Sequence, residues 1–155
     1  MSNFDDAFAQ IVGVEGGYSN DLQDPGGETK YGISKRSYPN ENIPNMTLER
    51  SKMLYKRDYW DKVKGDELPR ILGSFVFDAA VNQGVDPAIR MLQRALGVAQ
   101  DGIMGLDTMR KIRDSGKEEC ALFMAERSMR YFGTRNFDKF GRGWLKRLFI
   151  VSMEV

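Results

Sequence analysis

Four side chains near the N-terminus have the types and spacing of a hydrolytic site. Glu15 is followed by Asp21, Asp24 and Thr29. A carboxylic acid that stays protonated near neutral pH can protonate a leaving-group oxygen. A second carboxylate and a hydroxyl can position water or stabilise developing positive charge, and two carboxyl groups flanking the scissile bond are the equipment of a glycosidase. The pattern therefore indicates glycoside hydrolysis.

A helix must position Glu15. Phe4, Phe8 and Ile11 have the spacing of one apolar helical face. Glu15 falls about 20° from the direction of Phe4, so its carboxyl group is predicted on the apolar stripe. The glycines at 16–17 end the helix, and both burial and the negative end of the helix dipole would raise the pKa of the carboxyl group there. The alternative is that Glu15, in the last turn, simply faces solvent.

The segment after Glu15 is polar and rich in glycine, which predicts a turn-rich loop or a short hairpin near residues 17–33. Backbone in such a segment can approach a ligand closely. We name Tyr18, Asn20 and Tyr31 in this segment as candidate substrate-binding residues. Asn82 is a further candidate, although its amide could instead satisfy the last carbonyl groups of its own helix.

The run EGGYSND, followed by DPGGETKYGIS, resembles the N-terminal signature of glycoside hydrolase family 108. That family comprises lysozyme-like N-acetylmuramidases found as phage endolysins and as bacterial secretion-associated muramidases. The resemblance implies that Glu15 is the catalytic acid and that Asp24 and Thr29 complete the site. Glu15 and Asp24 keep the eight-residue interval of phage-type lysozymes, but Asp24 and Thr29 are separated by four residues where those enzymes have five. Asp21 therefore stays the alternative second carboxylate.

The resemblance continues into VNQGVDPAIRMLQRALGVAQDGIMGLDT, which is similar to the predicted peptidoglycan-binding region of the same proteins. Its elements are an LQ-x-x-LG helix at 92–97 and a DG-x-x-G-x-x-T segment at 101–108. The alternative is a structural turn that packs against the first half of the chain.

Composition excludes several other mechanisms. The chain has no histidine and one cysteine, Cys120, so it cannot use a histidine base, a histidine-ligated zinc ion or a cysteine metal cluster, and we expect no cofactor and no metal. The net charge of +1 gives no global field for nucleic acid. No run of about 18 apolar residues occurs, which predicts no stable membrane insertion.

Helical periodicity covers most of the remaining chain. Helices are predicted at about 47–60, 68–83, 86–96, 106–114, 117–132 and 144–151. Trp60 could stack on a sugar or belong to the core, and Asp78 is predicted to point away from the buried face and to form a salt bridge or cap. The inward residues of the 117–132 helix are predicted to be Leu122, Ala125, Met129 and Phe132.

These observations predict a mainly α, lysozyme-like fold with at most a short β-hairpin near residues 17–33. We expect one compact domain over 1–155, with a catalytic part at 1–82 and a helical part at 83–155. The expected function is cleavage of the β-1,4 bond between N-acetylmuramic acid and N-acetylglucosamine in peptidoglycan by a monomer, as in a phage endolysin. The alternatives are a non-catalytic peptidoglycan-binding module and a structural or inhibitory phage protein.

The N-terminus lacks a basic region followed by an apolar core, so no signal peptide is predicted. Such an enzyme would be made in the cytoplasm. It would reach the wall by separate export, such as a holin pore, or by lysis.

Overall fold

The computed structural model describes residues 3–12 and 17–153, and these are mostly helical. The chain begins with α1 (Asn3–Val12), followed by a two-stranded antiparallel sheet of β1 (Thr29–Lys30) and β2 (Ile33–Ser34). The helices that follow are α2 (Leu48–Tyr55), which continues as a π-helical turn (Lys56–Trp60), a 3-10 turn (Gly65–Glu67), α3 (Arg70–Gln83), α4 (Val85–Leu96), α5 (Leu106–Arg113), α6 (Lys117–Phe132) and α7 (Phe137–Met153). The predicted mainly α fold with a short hairpin is confirmed.

Local sequence signals explain several element boundaries. The Thr47 hydroxyl accepts a hydrogen bond from the backbone N–H of Arg50 and caps α2, as predicted. Gly97 ends α4 in the left-handed conformation, at φ 71°. In the hairpin, Tyr31 and Gly32 both have positive φ, at 50° and 77°, which is the backbone of a type I′ turn between paired strands.

The hairpin rests on an aromatic cluster that joins it to α1, α2 and α3. Tyr55 donates a hydrogen bond to the carbonyl of Gly32 at 3.1 Å, and a β-carbon at Gly32 would collide with the Tyr55 hydroxyl. Trp60 is fully buried and donates to Asp66, so it belongs to the core and cannot stack on a sugar. The buried members of the cluster are Phe4, Ala7, Phe8, Ile33, Ile43, Met46, Leu54, Tyr55, Trp60 and Phe77.

A second, larger hydrophobic cluster extends from Val63 to Val151 and includes side chains of α3, α4, α5, α6 and α7. The centre of this packing is α3, in which every residue from Leu72 to Ala80 is buried. Because α3 is surrounded on all sides, the prediction that Asp78 points away from the buried face is wrong. The carboxylate is only 2% exposed and pairs with two arginines, which agrees with the predicted salt bridge.

The inward face of α6 also differs from the prediction. Leu122, Met129 and Phe132 are exposed by 43%, 64% and 51%, whereas Phe123, Arg127 and Tyr131 are buried. The buried positions follow the helical spacing i, i+4 and i+8, but Arg127 stands in the middle of that stripe. Because a charged residue occupies the middle of the buried stripe, the spacing of hydrophobic residues does not reveal it.

The start of the last helix was predicted at Trp144, whereas α7 begins at Phe137 and includes Gly141 and Gly143. Gly141 is buried, and a β-carbon at this position would collide with the ring of Phe137. Glycine here allows close packing within the helix and does not end it. No helix within the described residues has the length and hydrophobicity that crossing a bilayer requires.

Candidate active site

The hairpin segment carries most of the predicted site residues. Backbone hydrogen bonds in both directions, each 2.8 Å long, join Ser19 to Thr29 and hold the start of the segment against β1. The Tyr18 hydroxyl donates to Glu28 Oε1 at 3.1 Å across this pairing. Desolvation and the neighbouring Glu28 carboxylate together raise the pKa of Tyr18. The hydrogen bond to Glu28 holds the Tyr18 hydroxyl across the pairing, and the ring stays partly exposed.

The two candidate aspartates each shape their own turn. Asp21 accepts a hydrogen bond from the backbone N–H of Gln23 at 2.9 Å, and Asp24 accepts one from Gly26 at 2.8 Å. Both are the local side-chain-to-backbone bonds of an Asx turn. Each carboxylate is exposed and uses only its Oδ1 atom in this bond. Either aspartate can thus present its remaining oxygen to a ligand, and the geometry does not choose between them.

Thr29 is part-buried at the start of β1, and its hydroxyl donates to the Gly27 carbonyl at 3.2 Å. The hydroxyl oxygen can still accept a hydrogen bond, for example from water. Tyr31 is half-buried in the type I′ turn and packs against the aromatic cluster. Asn20 is exposed next to Tyr18, and its side chain favours the ionised form of the Tyr18 hydroxyl.

Asn82 lies apart from these residues at the end of α3. Its amide donates to the Asp78 carbonyl at 2.9 Å, which is the bond to its own helix that we considered as the alternative. Asn82 makes no hydrogen bond to the hairpin among the described residues. Its neighbour Val81, however, packs against the same aromatic cluster as Tyr31, so the end of α3 lies on the hairpin side of the molecule. The amide oxygen of Asn82 stays available to a ligand.

Glu15, the predicted catalytic acid, lies outside the described residues. Its sequence position is two residues before Gly17, where the described hairpin segment begins. Sequence reasoning missed Glu28, although this carboxylate stands in the same run DPGGETKYGIS and binds the Tyr18 hydroxyl. Its position next to Thr29 was the available signal. The described residues contain no group of three or more side chains placed to hold a metal ion.

Comparison with known proteins gives this arrangement a family. The sequence pattern that defines glycosyl hydrolase 108 matches residues 8–84, which include the second half of α1, Glu15, the hairpin and α3. Among solved structures, the chain is similar to SagA of Brucella abortus, with a TM-score of 0.84 and 30% identity over 97% of this chain and 91% of that one. The chain belongs to glycosyl hydrolase family 108. No curated protein sequence matches it.

As a member of family 108, the protein is a glycoside hydrolase, and the family and structural matches together support a peptidoglycan hydrolase. The match to SagA includes the second half of the chain, where the DG-x-x-G-x-x-T segment lies. That segment has a structural role. Gln93 is fully buried and accepts from the Gly102 N–H at 3.0 Å. Its amide nitrogen lies within hydrogen-bond distance of Asp101 Oδ1, the Ile103 carbonyl and the Thr108 hydroxyl, at 2.8, 2.9 and 3.1 Å, and its two hydrogens are shared among these three oxygens.

These contacts fix the loop between α4 and α5 and account for Gln93, Asp101 and Thr108 in the motif. Gly102 has φ 73°, a left-handed backbone conformation that favours glycine, and a β-carbon there would displace the Asp86 carboxylate and the Arg90 guanidinium. The motif is thus explained by loop structure, and a peptidoglycan-binding role for it stays a prediction.

Proposed function

We propose that this family 108 hydrolase is an N-acetylmuramidase that cleaves the β-1,4 bond between N-acetylmuramic acid and N-acetylglucosamine. The observation that carries the proposal is the family match over residues 8–84, which encloses Glu15 and the hairpin with its exposed aspartates. A two-carboxylate mechanism also agrees with a chain that contains no histidine. No observation favours the non-catalytic binding module.

In the proposed mechanism, Glu15 protonates the glycosidic oxygen as positive charge develops on the sugar ring. Asp24 positions a water molecule or stabilises that charge through the oxygen not used in its turn. Thr29 orients water by accepting a hydrogen bond while it donates to Gly27. Tyr18, Asn20 and Tyr31 contact the glycan along the hairpin, and Asn82 contacts it at the end of α3.

The assignment of Glu15 is tested by digesting purified peptidoglycan with the wild type and with Glu15→Gln, which keeps the side-chain shape and removes the acidic proton. We expect muropeptides ending in reducing N-acetylmuramic acid from the wild type. We expect a loss of at least about 100-fold in rate for the variant, as is typical for a general acid. Mass spectrometry identifies the bond. A fully active and folded Glu15→Gln variant would contradict the proposal.

The second carboxylate is identified by comparing Asp24→Asn with Asp21→Asn. Asparagine keeps the Oδ1 atom that accepts from the Gly26 or Gln23 backbone, so both turns survive and only the charge is removed. The two variants are therefore matched controls for each other. We expect the rate to fall about 100-fold for Asp24→Asn and to change little for Asp21→Asn. The reverse result would assign the role to Asp21.

If the wild type binds peptidoglycan but releases no new reducing ends, the chain is a binding module and the muramidase proposal fails. We further propose that the protein acts as a monomer. Its release to the wall, by a holin-type pore or another non-classical route, and its origin in a phage are part of the same proposal.

A further inference from the structure

A cavity of about 270 Å³ lies between the end of α3, the last turns of α6 and the middle of α7. This volume is close to the roughly 300 Å³ at which small-molecule sites begin, so it suits one unit of a longer ligand. Its lining includes Asn82, Gln83, Arg130, Tyr131, Trp144 and Arg147, and contains no carboxylate. The hairpin contributes no residue to it, so it is separate from the candidate catalytic aspartates.

The charge around this cavity is positive. Asp78 is buried and pairs with Arg127 and Arg147 at 2.8 and 2.7 Å, so one carboxylate faces two guanidinium groups. Arg130 adds a third guanidinium group and forms no ion pair within the described residues. The nearest acidic residue along α6, Glu126, pairs instead with Arg94. An unbalanced positive charge beside a cavity is stabilised by an anionic ligand.

The groups that line the cavity are held in place by buried partners. Arg147 Nη2 donates to Asp78 at 2.7 Å, and Gln83 Oε1 accepts from Arg127 Nε at 2.7 Å. Arg127 is fully buried, and its Nη2 atom has no hydrogen-bond partner in the described part of the chain. The rings of Tyr131 and Trp144 are stacked with centroids 5.0 Å apart. Arg147, Gln83, Tyr131 and Trp144 therefore need little rearrangement on binding, whereas Arg130 is exposed and has to be ordered by the ligand.

We propose that this cavity binds a carboxylate carried by the glycan substrate, through Arg130 and Arg147, while Trp144 and the amides of Asn82 and Gln83 contact the sugar. Two guanidinium groups and planar amides in one lining suit a carboxylate on a hydroxylated ring. The carboxylate belongs either to the lactyl group of N-acetylmuramic acid or to the peptide attached to it. The proposal rests on the proposed function for its choice of glycan.

The test measures binding in a Glu15→Gln background, where cleavage does not interfere. Its probes are a peptide-free tetrasaccharide of alternating N-acetylglucosamine and N-acetylmuramic acid, the same saccharide with its carboxyl groups reduced to alcohols, and the same saccharide bearing its peptides. Binding is followed by the two indole N–H signals in ¹H–¹⁵N spectra, because Trp60 is fully buried and Trp144 lines the cavity. A Trp144→Phe variant assigns the signals.

We expect the carboxylate-bearing saccharide to shift the Trp144 signal and to bind about tenfold more tightly than the reduced one, which is the typical scale of a charged hydrogen bond. Arg130→Gln should remove most of that difference. Arg142→Gln is the matched control, because Arg142 is an exposed arginine of α7 that does not line the cavity. Tight binding of only the peptide-bearing saccharide would assign the carboxylate to the peptide.

Equal binding of the native and reduced saccharides, or an unshifted Trp144 signal, would overturn the inference. Because Arg147 pairs with a buried carboxylate, Arg130→Gln is the decisive variant and Arg147→Gln the supporting one. The two proposals fail separately. A wild type that releases reducing ends but binds without regard to the carboxylate refutes only the cavity, whereas carboxylate-dependent binding without any cleavage by the wild type refutes only the muramidase.

Discussion

At the scale of single residues, Asp78 is a buried carboxylate that balances the charge of two arginines. It is 2% exposed and faces Arg127, which is fully buried. Arg127 Nη1 lies 2.8 Å from Asp78 Oδ2 without the alignment of a hydrogen bond, so the contact is an ion pair, and Arg147 supplies the aligned bond to Oδ1. Burying these charges is costly, and removing one partner leaves the other uncompensated.

We therefore expect Asp78→Asn to lower the free energy of unfolding by about 3–5 kcal/mol. Asp86→Asn is the control, because Asp86 pairs with Arg90 on the surface, where the side chains are 64% and 46% exposed. That change should cost less than about 1 kcal/mol. Urea denaturation of both variants measures the difference. Equal effects would mean that Arg127 finds other compensation.

Tyr55 makes stability depend on alkaline pH. Burial, reinforced by Tyr59, raises its pKa to about 12, above the ordinary value of 10.0. As the pH rises, the Tyr55 hydroxyl of the unfolded chain therefore ionises before that of the folded protein. The contribution of the protonated hydroxyl to the free energy of unfolding is complete below pH 10 and is lost as the pH rises towards 12. At about 1.4 kcal/mol per pH unit, full loss amounts to about 3 kcal/mol.

We expect the free energy of unfolding, measured in urea between pH 9 and 11.5, to fall less steeply for Tyr55→Phe than for the wild type. The variant should be about 1 kcal/mol less stable at pH 7, because it lacks the hydrogen bond to Gly32. Some slope should remain, since burial and Asp58 also raise the pKa of Tyr38. Identical slopes would show that Tyr55 does not titrate in this range.

At the scale of elements, the loop between α4 and α5 depends on one amide. From inside the molecule, the Gln93 amide contacts three loop residues, Asp101, Gly102 and Ile103, and the Thr108 hydroxyl at the start of α5. We expect Gln93→Ala to cost about 2–3 kcal/mol because it leaves buried polar groups without partners. The Gly102 amide should also exchange its hydrogen much faster. Gln100→Ala, an exposed glutamine of the same loop, is the control and should do neither.

The sequence predicts the positions of helices and of the hairpin better than it predicts which face of a helix is buried. The α4 boundaries, the cap at Thr47 and the hairpin follow from local glycine, proline and capping signals, which act within a few residues. The inward face of α6 does not follow from local signals. Arg127 can be buried there only because it pairs with Asp78, which lies 49 positions earlier in the chain. Gly141 resembles a helix stop for a different reason, because glycine often ends a helix, whereas here it makes room for the ring of Phe137 one turn earlier in α7.

The candidate site shows the same limit. Asp24 and Thr29 were found from their spacing, and the structure gives each a local hydrogen bond. The contact of Glu28 with Tyr18 and the positions of Arg130 and Arg147 beside one cavity do not follow from sequence spacing, because they depend on neighbours that the fold supplies. Trp60 was left open between core and sugar, and its burial against Phe4 and Phe77 decides for the core.

At the scale of the whole molecule, the larger hydrophobic cluster crosses residue 82, where we divide the catalytic part from the helical part. We propose that the chain unfolds as one cooperative unit. Leu92→Ala, at a fully buried position in the second part, should cost about 2–5 kcal/mol and shift Trp60 fluorescence and far-UV circular dichroism together.

Leu106→Ala is the control for this experiment, because Leu106 is 83% exposed. Its effect should stay within about 0.5 kcal/mol. A Trp144→Phe background makes Trp60 the sole tryptophan, so the fluorescence reports on the aromatic cluster of the first part. Two separate transitions would show that the parts unfold independently.

The ion pair between α3 and α6 also bears on the order in which the chain assembles. If α6 docked before α3 was in place, the Arg127 guanidinium would enter an apolar surrounding without a countercharge. Docking of α6 before α3 would therefore cost free energy. That cost falls once Asp78 is in place to pair with the Arg127 guanidinium. We therefore expect the buried pair to favour folding routes in which α3 is in place before α6 docks, although the same charge costs free energy in the folded protein.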